Sequence, residues 1–130
     1  MHEPHERVEF FHSESSFGSE SNLSESRYYD FTNELIAETD NVFLTLKREL
    51  LPNESNSQQE KIDYALRRAQ ILHKDTIPEH AAYLNKIDAP NNAKQQVALC
   101  SEKLYKLLAD HEKLKNGTMI YKQFYNVYGK

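Results

Sequence analysis

The chain has 130 residues, 38% of them hydrophobic, with no tryptophan and a net charge of −4. That is the size of one domain with a lean core, and the acidic balance argues against nucleic acid or an anionic membrane as a partner. A lone cysteine, Cys100, allows no internal disulfide and suits a reducing compartment; there is no apolar run near the ~20 residues that span a bilayer and no basic-then-apolar leader, so the chain reads as soluble and intracellular, cytoplasmic or nuclear.

The first segment, residues 1–26, reads as a disordered acidic tail. Residues 1–27 hold six glutamates against Arg7 and Arg27, which accounts for the whole net charge, and seven serines lie between Ser13 and Ser26. Such a composition buries too little apolar surface to offset the entropy of ordering it.

From residue 19 to residue 116 there is no glycine, and the prolines are sparse. Glycine costs about 1 kcal/mol and proline about 3 kcal/mol inside a helix, so residues 27–130 are free to be helical. A first helix is expected over residues 27–51. Tyr29, Ile36, Phe43 and Leu50 recur every seven residues, with Leu35, Val42 and Leu46 widening the stripe, and Pro52 ends it. Ser57 with Glu60 forms a capping box for a second helix that carries Ile62, Ala65, Leu66, Ala69 and Leu72 on one side. Pro78 then predicts either a sharp kink or an end near Lys74 and a restart at Asp75 or Thr76, with Ala81, Ala82, Leu84 and Ile87 continuing the apolar face.

Asp88, Ala89 and Pro90 read as the start of the next helix, with proline in its first turn. Its seam is the most regular in the chain: Val97, Cys100, Leu104, Leu107, His111 and Leu114 alternate steps of three and four. Asn116 and Gly117 supply a left-handed stop. Residues 118–130 end the chain with Met119, Ile120, Tyr121, Phe124, Tyr125, Val127 and Tyr128, either a helix that docks on the bundle or an exposed hook. Short connections favour antiparallel neighbours. The expected fold is all-α, a small antiparallel bundle of three to four helices or an extended helical hairpin, behind a disordered N-terminal tail.

Catalytic signatures are absent from the sequence: no phosphate-cradling glycine loop, no dinucleotide fingerprint, no nucleophile elbow. The one Glu-x-x-His pair, Glu9 with His12, lies in the tail rather than on facing helices. His2, His5 and His12 match no zinc spacing, and His73 and His80 are seven apart, about 10 Å along a helix, too far to share an ion. His111 reads as a structural histidine of the seam and Cys100 as a small buried hydrophobe. His73 is the nearest candidate for a phosphotransfer histidine, but Asp75 to Pro78 replace the small residues such a site needs. No catalytic residue, metal, cofactor or small-molecule substrate is expected.

Within the tail, Arg7, Val8, Glu9 and Phe10 resemble the RVxF docking motif of regulators that bind the catalytic subunit of protein phosphatase 1, and Phe11 and Glu14 extend it with a further apolar residue and an acidic flank. The resemblance implies an extended peptide adding to a sheet edge, with Val8 and Phe10 filling two pockets and Arg7 beside them. The alternative is that Val8, Phe10 and Phe11 fold back on the bundle.

The leading expectation is a non-enzymatic interaction module, a small helical subunit of a larger complex that pairs with other protein subunits as a homo- or hetero-oligomer. Val97, Leu104, Leu107 and Leu114, together with Tyr121, Phe124, Tyr125 and Tyr128, are the expected partner-binding helix face. A phosphatase regulator using Arg7, Val8 and Phe10 is the second expectation, and a phosphorelay or metal-handling domain the third.

Overall fold

A computed structural model describes residues 20–53 and 58–130, with side chains from Tyr28 onward. Arg7, Val8, Phe10 and Ser57 lie outside the described residues. Among the described residues every regular element is helical: α1 is Glu20–Glu49, α2 is Gln59–Ile71, α3 is Ile77–Lys86, α4 is Asn91–Lys115 and α5 is Tyr121–Tyr128.

Helix α1 begins at Glu20, one to two turns before the expected start at residue 27. Glutamate and serine do not break a helix. Lys47 and Arg48 in its last turn complement the helix dipole. The expected stripe faces inward: Tyr29, Leu35, Ile36, Val42, Leu46 and Leu50 are buried, and Phe43 packs against them. Two threonines share that face. The Thr39 hydroxyl donates to the Leu35 carbonyl at 2.8 Å, which satisfies it inside its own helix.

Pro78 does not end the second helix. Between α2 and α3 the chain runs on through a wide π turn, Leu72–Thr76, in which the Ile77 amide donates to the Leu72 carbonyl five residues back. Proline cannot donate to the carbonyl four residues before it, and its ring crowds that turn; the wider turn just upstream takes up the misfit. It also shifts the inward face. Leu72 and Ile77 are both buried, and the buried positions of α3 become Ile77, His80 and Leu84, while Ala82 and Ile87 of the expected face are exposed.

Asp88 does not start α4. It closes α3 at φ +53°, with its amide donating to Asn85 and the Ala89 amide donating to Leu84 at 2.9 Å, a left-handed helix stop with buried Ala89 set against buried Leu84. Pro90 is the N-cap of α4, not a first-turn residue, and its carbonyl receives the amides of Ala93 and Lys94. The second stop behaves as the sequence implies: Gly117 has φ +84°, and the Thr118 amide donates to Lys113 at 2.8 Å. The two stops differ in residue type. A non-glycine residue in this conformation costs about 1–2 kcal/mol, part of which glycine returns in unfolded-state entropy. Asp88→Gly is expected to stabilise the fold by up to about 1 kcal/mol, read as a higher urea midpoint.

Side-chain pairs fix the topology. Glu49 meets Lys61, Glu38 meets Arg68 at 2.5 Å, and Thr32 meets His80, so partners descend along α2 and α3 as α1 ascends. Helix α4 then runs back beside α3. The bundle is therefore up-down-up, and α5 packs across α1 and α4 at one end. This is the compact bundle and not the extended hairpin. The half-exposed Glu38–Arg68 pair contributes up to about 1 kcal/mol; the apolar seam carries most of the stability. No helix among the described residues is long and apolar enough to cross a membrane.

Candidate interaction site

The residues expected to meet a partner mostly meet their own chain. Leu104 and Leu107 are fully buried, Val97 is 2% exposed, Phe124 1% and Tyr128 8%. Leu114, Tyr121 and Tyr125 are partly covered and pack on the same core. In this fold they are internal contacts and offer no open helix face. An eight-residue helix is unstable alone in water, so α5 exists only by docking. Phe124 sits against His111 and Tyr128, with ring centroids 6.2 and 4.8 Å away.

Two phenolic hydroxyls pin α5. Tyr121 donates to the Leu51 carbonyl at the end of α1, and Tyr128 donates to Asp110 at 2.7 Å. Asp110 is 6% exposed and also accepts from Lys106 at 3.0 Å. Burial alone raises the Asp110 carboxyl, but the hydrogen bonds from Tyr128 and Lys106 and the charges of Lys106 and Lys113 outweigh it and hold the group below its ordinary value of 3.8. Burial and the Asp110 carboxylate push the Tyr128 phenol well above its ordinary range. Periodicity does not mark Asp110; its role depends on a tyrosine eighteen residues away.

The histidines separate by environment. His80 is buried, with Nε2 2.7 Å from the Thr32 hydroxyl oxygen. His73 is half-buried beside Tyr105, ring centroids 5.9 Å apart. His111 is half-buried under α5, and burial with the nearby Lys115 charge lowers its pKa. Among the described residues no three His, Cys, Asp or Glu side chains gather as a metal-ion cluster.

Among the described residues an open groove lies between α3 and α4, about 440 Å³ in volume. Buried Ile77, Leu84 and Val97 form its floor, Ala81 and Ala98 its walls, and Asn85, Lys94, Ser101 and Glu102 its rim. It exists because alanines stand where larger side chains would fill the gap between the helices. A second, more open depression of about 650 Å³ lies between Gln70, His73, Lys74 and Leu108. Ala98, Ser101, Tyr105 and Leu108 follow one another at helical spacing along one face of α4, so both depressions border that face. Tyr105 stands between them, 63% exposed. An apolar floor with a rim of both charges suits the apolar side of a peptide or helix, and it gathers no acid–base pair. The signal for it in the sequence is the smallness of Ala81 and Ala98, which no periodicity marks.

Comparison with known proteins gives no match to a family model, to a curated protein or to a solved structure.

Proposed function

We propose that the chain is a non-enzymatic protein–protein interaction module, a small helical subunit of a larger intracellular assembly, and that its α3/α4 groove receives the apolar side of a helix from a protein partner. One observation carries this reading: an apolar-floored groove open between two helices of the bundle and rimmed by Lys94 and Glu102. Helix-in-groove recognition needs an apolar trough for side chains at helical spacing, and alanine walls supply the room for them. The surface differs from the helix face expected from the seam, because those seam residues are used inside the fold. The test places a photo-crosslinking residue at exposed Ala98 and a control at Glu60, on the exposed first turn of α2. A discrete adduct is expected from position 98 only.

A further inference from the structure

His80 is a buried histidine at the seam between two helices, 4% exposed, and its ring hydrogen-bonds to Thr32, which has no exposed surface. Two rings cover it: Phe31 from α1 at 4.7 Å and nearly perpendicular, and Tyr83 one turn along α3 at 6.2 Å and stacked. The flanking titratable side chains are Asp30 and Glu34 on α1 and Glu79 and Tyr83 on α3, all exposed; Lys94 and Glu102 of α4 lie on the rim of the α3/α4 groove. None of them compensates a charge on the ring: burial alone lowers the pKa of His80 from its ordinary 6.5. The helix that carries His80 is bounded by two special pieces of backbone, the π turn Leu72–Thr76 before it and left-handed Asp88 after it. Both are places where helix geometry is already interrupted, and π turns frequently lie at functional sites.

We propose that the His80–Thr32 contact is an acid-sensitive clasp, and that protonation of His80 releases α3 from α1 as a unit between the π turn and Asp88. The sign follows from burial. Above pH 6.5 the ring is neutral in both folded and unfolded chains and the clasp holds at full strength. As pH falls through 6.5 the unfolded and undocked forms take up a proton first, so closure weakens, and the loss is complete below the folded-state value. Release from α1 leaves α3 held on α4 alone, so its amides lose protection. The clasp acts whatever the groove binds.

The experiment is hydrogen exchange on the full chain between about pH 7.5 and about pH 5, corrected for intrinsic exchange rates. The expected result is that protection in residues 77–90 falls at least about tenfold more than in α2 and in the second half of α4. His80→Gln keeps a polar group facing Thr32 without the titration and is expected to abolish the difference. Thr32→Val, which strips the partner but leaves the ring, is expected to lower protection of α3 already at neutral pH. His111→Gln is expected to leave the α3 response intact. Equal loss in all helices, an unchanged response in His80→Gln, or a Thr32→Val chain with normal α3 protection would each overturn the clasp.

Discussion

Replacing Phe124 by alanine lowers the free energy of unfolding by about 3–5 kcal/mol. Phe124 is the largest of the fully buried side chains among the described residues, and it is the one apolar anchor of α5 with almost no exposed surface. Removing the ring leaves a cavity against His111 and Tyr128, and an eight-residue helix depends on such docking contacts to stay folded. The cost is capped by the docking energy of α5, because α1 to α4 keep their own core once α5 has left. Urea unfolding followed by circular dichroism is expected to show a lower midpoint together with a small loss of helicity before the main transition. A variant that unfolds at the wild-type midpoint would mean that α5 is not part of the cooperative unit.

Asp110→Ala costs about 2–3 kcal/mol, the range for a hydrogen bond to a charged group plus a buried hydroxyl left without a partner. The second part belongs to Tyr128, so Tyr128→Phe is expected to cost about 1–1.5 kcal/mol and the double variant less than the sum. Lys106 adds little of its own, being 65% exposed at its side chain. The pH dependence has a fixed sign. Asp110 titrates below its ordinary 3.8 in the folded chain, so its contribution is complete above that value and is lost as pH falls through the lower folded value. The gap between wild type and Asp110→Ala therefore closes in strong acid. A gap that persisted unchanged there would assign the effect to packing instead of to the carboxylate.

Much of the fold is legible in the amino-acid sequence, because helix stops are local chemistry. Pro52 and Gly117 end helices where their backbone requires it, and the stripes over Tyr29 to Leu50 and Val97 to Leu107 turn inward as their spacing implies. The misses have local causes too. A π turn leaves no residue signature beyond Pro78 itself, so the shift that buries His80 and exposes Ile87 is not readable from spacing. Asp88 before Pro90 looks like a cap for the helix that follows, whereas its left-handed φ closes the one before. Buried polar pairs such as Thr32 with His80 and Asp110 with Tyr128 join residues 48 and 18 positions apart, and no short window contains both members. The groove is hidden for a related reason: what makes it is the smallness of Ala81 and Ala98 on facing helices, and neither alanine is unusual alone.

An apolar stripe can mean two things, a face for another chain or a face for this one. Val97, Leu104 and Leu107 are apolar because they close the bundle, and Phe124 and Tyr128 are aromatic because α5 must be held down. The proposed partner would use the space those contacts leave open, the groove between α3 and α4. Crosslinking from Ala98 in intact cells tests that most directly. The predicted result is one discrete protein adduct from Ala98, lost when Ala81→Glu blocks the facing wall and absent from the Glu60 control, with helicity unchanged throughout. No adduct from Ala98, or the same adducts from Glu60, would contradict it.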